Sequence, residues 1–222
     1  MKPAPQFQHF SLPALSQTEA QKQARKFYEL MTTRRSVRDF SSQEIPDSIL
    51  ENAIRAAGTA PNGANLQPWH FAIVRSPEVK RAIREAAEEE ERAFYQERAP
   101  QTWLKDLSTL GTNAEKPFLE IAPALIVIFQ KNKTTRSDGR EDKTYYPKES
   151  VGLATGILIT ALHQAGLATL THTPSPMGFL NKILARPSNE KPFLLLVVGY
   201  PSKNCQVPVI TKLPLEELSS IH

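Results

Sequence analysis

The stretch RRSVRDF, residues 34–40, places the guanidiniums of Arg34, Arg35 and Arg38 within five positions, just ahead of an aromatic. Such a cluster is either a solvated charged turn or a place that meets negative charge, and spacing alone leaves both readings open. A second stretch, TAPNGANLQPWHF (59–71), sets Pro, Asn, Gly and Asn after a helix. Its tight turn could aim backbone N–H groups at a ligand, or simply join helix to strand. In EEEE (88–91) and the following Tyr95, Glu91 and Tyr95 stand four apart on one helical face. The competing reading of that run is a solvated acidic face. Thr169, Thr171 and Thr173 alternate as β-formers at a strand end do. His172, between two of them, is assigned no proton chemistry.

These residues need a scaffold. The pattern is helical from about Gln17 to Met31. A second helix follows the arginine cluster, introduced by Asp47 and Ser48, with Ile49, Leu50, Ala53, Ile54 and Ala57 on one face and Gly58 at its end. A strand is expected over Trp69 to Val74, then a long helix with Ser76 as N-cap and Pro77 as its first residue. On that helix Val79, Ile83, Ala86 and Phe94 define an apolar stripe centred near Glu90, with Glu91 at its edge. ALIVIF (124–129) and FLLLVV (193–198) are unbroken apolar runs, the mark of central strands covered on both faces. Between them KNKTTRSDGREDK (131–143) reads as a mobile polar loop. Ser150 to Ala165 is apolar nearly all round and reads as a buried helix, in which Gly152 and Gly156 could serve either core packing or a subunit interface. Strands alternating with helices imply an α/β sandwich with a mixed sheet.

Composition narrows the function. The 222 residues suffice for one domain with one core, preceded by an arm over residues 1–17. A net charge of +4, with basic and acidic residues interleaved, argues against nucleic-acid binding. One cysteine, Cys205, makes neither an intrachain disulfide nor a thiolate metal site, and suits a reducing compartment. No stretch reads as a signal peptide or a membrane span, so a soluble cytoplasmic protein is expected.

RRSVR, GTAP-x-GA, the EEEE-to-Tyr helix, TLGTNAEK (109–116), THTP (171–174) and GYPSK (199–203) occur in that order. Together they resemble the FMN-dependent nitroreductase superfamily and, within it, the iodotyrosine deiodinase family, over about Thr32 to Leu215. The resemblance implies a nitroreductase-like α+β sandwich forming a domain-swapped homodimer with FMN at its interface. Vertebrate members of that family carry a membrane anchor that this sequence lacks, so a soluble form is implied.

The resemblance also implies roles. Arg34 and Ser36 would hold the flavin phosphate and ribityl end, Arg35 would contribute mainly backbone contact, Val37 would also belong to the cofactor site, and Arg38 would face the pyrimidine edge, where a cation favours reduction. Lys212 stands where the family commonly has a phosphate-binding Arg, and Asn62, beside the flavin, where it often has Ser, still able to donate and accept. Thr173, flanked by the backbone contacts of Thr171 and His172, would place its hydroxyl at flavin N5 and favour one-electron steps. With Arg38 it would be the catalytic pair. Glu91, Tyr95 and Lys116 would recognise the ammonium and carboxylate of a free amino acid. Residues 88–116 would form a lid, with Leu104, Leu107 and Leu110 as possible cover for the halogen-bearing ring.

The implied reaction is reductive loss of halide from 3-iodotyrosine and related halotyrosines. The phenolate would be held by the N–H of Ala64, with a transient non-aromatic ketone form, and electrons would come from NADPH or a reductase partner. No metal is implied. A general nitroreductase or quinone reductase, or a non-catalytic flavin-binding protein, are the alternatives.

Overall fold

The computed structural model describes residues 4–135 and 139–222. The chain divides into two compact units, Met1–Arg34 and Arg35–His222.

In the first unit, α1 spans Gln17–Thr32, with Ser16 as a true N-cap whose hydroxyl accepts from the Glu19 N–H at 3.2 Å. An i,i+4 ion pair, Arg25 to Glu29 at 2.9 Å, runs along its surface, and no residue of the helix is buried. Phe7, Phe10, Leu12 and Leu15 of the arm are likewise exposed; residues 1–3 of that arm lie outside the described residues.

In the second unit, β1 (Trp69–Val74), β2 (Ala124–Lys131), β5 (Ala168–His172) and β6 (Glu190–Gly199) form a four-stranded sheet in the order β1-β2-β6-β5. The apolar runs occupy its two central strands, as their composition requires. Side chains alternate across the sheet, so both faces of each run are used. Ile126, Ile128, Leu196 and Val198 meet α2 (Asp47–Ala57) and α6 (Pro147–Gln164) on one side. Leu125, Val127, Leu195 and Val197 meet α3 (Pro77–Ala93), α5 (Phe118–Ile121) and α7 (Phe179–Ile183) on the other.

Three expectations are corrected. All three ladders of this sheet are antiparallel, and the parallel element is a single bridge between Ser36 and Thr169, so the fold is α+β. Continuous apolar strands here report burial of both faces, which an antiparallel sheet between two helical layers also achieves. The polar segment 131–143 contains a hairpin, β3 (Lys133–Thr135) with β4 (Glu141–Lys143), tied by an ion pair from Lys133 to Glu141 at 3.0 Å; residues 136–138 of it lie outside the described residues. And α6 is buried on one face only. Val151, Ala154, Leu158 and Leu162 face the core, whereas Leu153 is 52% exposed and a Cβ on Gly156 would meet nothing within 4 Å. Its outer face leaves Leu153 and Gly156 exposed among the described residues.

The Ser76 hydroxyl accepts from Val79 N–H at 3.3 Å with Pro77 first in the helix, as expected for α3. Asp47 falls in the first turn of α2 without capping it; Pro46 precedes the helix and makes no side-chain cap. After α3 the chain makes a π-helical turn, Phe94–Arg98, then α4 (Gln101–Ser108), none of whose residues is buried. The short α8 (Leu215–Leu218) is also wholly exposed. Among the described residues no helix is long and apolar enough to cross a membrane.

Candidate active site

The site grows from one side of α3. Lys80, Arg84 and Glu88 recur every four residues, and Glu91 and Tyr95 continue the stripe toward the helix end. All five face the segment 112–122. Lys80 is buried, and its ammonium donates to the carbonyls of Glu120 and Ala122, both at 2.8 Å. Burial lowers its pKa, opposed by Glu44 and Glu120. Arg84 pairs with Glu88 at 3.3 Å and with Glu120 at 3.1 Å. Glu88 accepts from the backbone N–H of Lys116 at 2.7 Å.

Lys116 then turns its side chain to Glu91, with Nζ to Oε2 3.1 Å. The same ammonium donates to the Thr112 hydroxyl at 3.3 Å and to the Asn113 carbonyl, and lies 5.6 Å from the centre of the Tyr95 ring. Burial pulls the Lys116 pKa down, and the Glu91 carboxylate opposes that pull.

The opposite wall is the end of β5. The bridge of Ser36 to Thr169, with Val37 N–H donating to the Thr169 carbonyl at 3.1 Å, brings Arg38 beside this strand end. Thr171 and Thr173 fall on its exposed face by strand alternation, while His172 turns inward and meets the Phe118 ring edge-on at 6.0 Å. His172 is only 7% exposed, and its buried Nε2 has no hydrogen-bond partner among the described residues. Burial first, then the charges of Lys116 and Arg38, lower its pKa to about 3, so it is neutral across the physiological range.

These walls enclose a cavity of about 220 Å³. Of the residues singled out from sequence it unites Arg38, Glu91, Tyr95, Lys116, Thr171, His172 and Thr173. Leu107 also lines it; Leu104 and Leu110 do not. Sequence reasoning missed Trp103, whose ring meets Phe94 edge-on at 5.0 Å inside the cavity, and Thr112. It also missed Glu88, which carried a signal in the fourfold spacing after Lys80 and Arg84.

Other candidates lie outside that cavity. Ala64 sits in a 3-10 turn, Gly63–Asn65, with φ 52° and ψ 28°, and among the described residues no carbonyl accepts from its N–H. Gly63 is required there, since a Cβ would fall 2.7 Å from Tyr145 Cβ. Asn62 braces the turn from within: its amide nitrogen donates to the Ala60 carbonyl at 3.1 Å, and its oxygen accepts from Gln67 N–H at 2.8 Å. Arg35 gives its guanidinium to the Pro208 carbonyl, and Val37 buries its side chain in the core. Ser36 is exposed, as is Lys212. Arg34 belongs to the N-terminal unit, where its N–H donates to the Met31 carbonyl at 3.3 Å.

The donor set suits an anionic, carbonyl-edged group such as FMN. Arg38 has no carboxylate partner among the described residues, two threonines line the same cavity, and no described group accepts from the Ala64 N–H. No group of three or more metal-ligating side chains occurs among the described residues.

Residues 31–200 match the model of the nitroreductase family. The chain is 50% identical over 208 residues to an iodotyrosine deiodinase of Haliscomenobacter hydrossis, covering 94% of each chain. It is 43% identical over 213 residues to iodotyrosine deiodinase 1 of Homo sapiens, covering 96% of this chain and 73% of that one. Among solved structures it resembles oxidized iodotyrosine deiodinase bound to FMN and 3-iodo-L-tyrosine, with a TM-score of 0.73, 31% identity, and coverage of 85% of this chain and 96% of that one. A BluB-like flavoprotein from Clostridium difficile, 20% identical with a TM-score of 0.67, shares the fold. The chain belongs to the nitroreductase family and, within it, to the iodotyrosine deiodinases.

Proposed function

We propose that this protein removes iodine reductively from iodotyrosine with FMN as its cofactor. The observation that carries the reading is the convergence of Glu91, Tyr95 and Lys116 on one cavity with Arg38, Thr171 and Thr173. An anion, a cation and a phenol are what a free amino acid needs at its charged end, and the hydroxyls and guanidinium are what a flavin edge needs on the other side.

Bound FMN supplies the electrons and a flat ring on which a phenol stacks. Arg34, Arg35, Ser36, Val37, Lys212 and the turn at Asn62 are the residues proposed to hold it, with Arg38, Thr171, His172 and Thr173 along its ring. The internal engagement of Asn62, Val37 and the Arg35 side chain limits them to backbone or supporting contacts. Arg38 places a fixed positive charge where electrons accumulate. The Thr173 hydroxyl, at the cavity wall, would favour single-electron chemistry of the bound flavin. Glu91 receives the substrate ammonium, Lys116 its carboxylate, and Tyr95 donates between them; the free N–H of Ala64 holds the phenolate oxygen. At the substrate, the carbon–iodine bond breaks with its electron pair leaving on iodide, and two electrons and one proton restore tyrosine. No side chain acts as nucleophile; the protein orients and excludes water.

Residues from 88 to 116 act as a lid, a role supported by the wholly unburied α4 and by Trp103, which is half exposed yet reaches the cavity. The exposed Leu153 and the open space at Gly156 on the outer face of α6 support a homodimer, with FMN at its interface. NADPH or a reductase supplies the electrons, and the single cysteine favours a reducing, cytoplasmic compartment.

The test compares anaerobic iodide release from 3-iodotyrosine and from an iodophenol that lacks the amino-acid end. A preference of at least about a hundredfold is expected, the worth of two charge-assisted contacts. Equal rates contradict the reading.

A further inference from the structure

We infer that Glu88 is a positioning residue for substrate recognition: it fixes the backbone of Lys116 so that the Lys116 ammonium meets the substrate carboxylate. The inference rests on the proposed function and concerns a residue outside the cavity lining.

Four adjacent glutamates, 88–91, have four different fates. Glu89 is solvated, Glu90 pairs with Arg98 at 3.0 Å, and Glu91 pairs with Lys116 at 3.1 Å. Glu88 is 8% exposed and spends its two oxygens separately. One accepts from Lys116 N–H at 2.7 Å; the other pairs with Arg84 at 3.3 Å. A buried carboxylate persists only when paired and hydrogen-bonded, and this one is both.

The consequence is a division of labour between two carboxylates on one stripe. Arg84 neutralises Glu88, so Glu88 does not compete for an ammonium, and Glu91 is left as the anion that meets one. Arg84 also stands 3.1 Å from Glu120, and Lys80 grips the carbonyls of Glu120 and Ala122, so the turns after Lys116 are fastened to α3 as well. Before Lys116, by contrast, the chain passes through exposed Gly111 with φ 62°, half-buried Thr112 and Ala114, and exposed Asn113 and Glu115. Lys116 is thus the point where a fastened segment meets a loose one, and Glu88 holds that point. Without the 2.7 Å bond the ammonium would follow the loose side, and a displacement on the order of 1 Å is enough to degrade a charge pair held for recognition.

The test uses the FMN-loaded full chain and its Glu88→Ala and Glu88→Gln variants, with 3-iodotyrosine and with a nitroarene that carries neither ammonium nor carboxylate. Glu88→Ala should raise KM for 3-iodotyrosine at least about tenfold, while flavin content and nitroarene turnover stay within about twofold. Glu88→Gln, whose amide oxygen still accepts from Lys116 N–H, should recover most of that loss. Equal losses on both substrates, or no KM change in the alanine variant, would overturn the inference. If the alanine variant does not fold, Glu88→Gln and Arg84→Gln decide: a selective KM rise in Arg84→Gln exceeding that in Glu88→Gln supports the clamp, and unselective loss in both overturns it. A wild-type protein that fails to dehalogenate iodotyrosine at all defeats the proposed function itself, and is read before any variant is compared.

Discussion

Lys116 Nζ lies 3.1 Å from Glu91 Oε2, with the two side chains 4% and 14% exposed, so the chain pairs with itself the two charges that suit a zwitterion. In the proposed complex an incoming amino acid would exchange one internal ion pair for two, its ammonium on Glu91 and its carboxylate on Lys116. Lys116→Ala removes one of those and leaves Glu91 without its partner. We expect about a hundredfold loss in kcat/KM for 3-iodotyrosine, ~2.7 kcal/mol, with nitroarene reduction within about threefold. Steady-state kinetics on both substrates check this.

Thr171, in β5, and Thr173, just past its end, both line the cavity proposed to hold the flavin ring. Thr173→Ala should lower dehalogenation at least tenfold and leave or raise nitroarene reduction if, as proposed, the hydroxyl serves single-electron steps and not two-electron ones. The ratio of the two rates is the measurement.

Gly63 faces the backbone and Cβ of Tyr145 at 2.7 to 3.3 Å from the place a Cβ would take. Gly63→Ala must push the turn away from the segment that leads into α6, at a cost of about 1–3 kcal/mol. Thermal unfolding should show the lowered Tm. The turn also carries the Ala64 N–H, so kcat for iodotyrosine should fall in the same variant.

His172 has a folded pKa of about 3 and an unfolded one near ~6.5. Between those values the unfolded chain binds the proton that the folded chain refuses, so stability falls as pH drops through that window. In urea unfolding at pH 7 and pH 4.5, the protein should lose about 2 to 3 kcal/mol more than its His172→Gln variant. Equal losses would mean that this imidazole does not drive the acid sensitivity.

Much of this was legible in the sequence. The central strands announced themselves because six apolar residues in a row have no solvated face, and Ser76-Pro77 marked the start of α3 by chemistry that few other positions satisfy. The hairpin at 133–143 was not legible: a polar two-stranded ribbon has no apolar alternation, and its tie between Lys133 and Glu141 is one charge pair among many. In the site, Glu91, Tyr95 and Lys116 came from family resemblance, since periodicity alone centred the stripe on Glu90. Glu88 was hidden because a run of glutamates reads as solvated, and only the partners Arg84 and Lys116, one of them 28 residues away, account for its burial. That both ends of the Asn62 amide hold their own turn is a local engagement that sequence does not display.

The most direct measurement is single-turnover oxidation of the reduced, FMN-loaded protein under anaerobic conditions. Adding 3-iodotyrosine should restore the yellow oxidised spectrum with one equivalent consumed per flavin, releasing one iodide and one tyrosine. A protein that takes up no FMN, or whose reduced flavin is unchanged by iodotyrosine, contradicts the account.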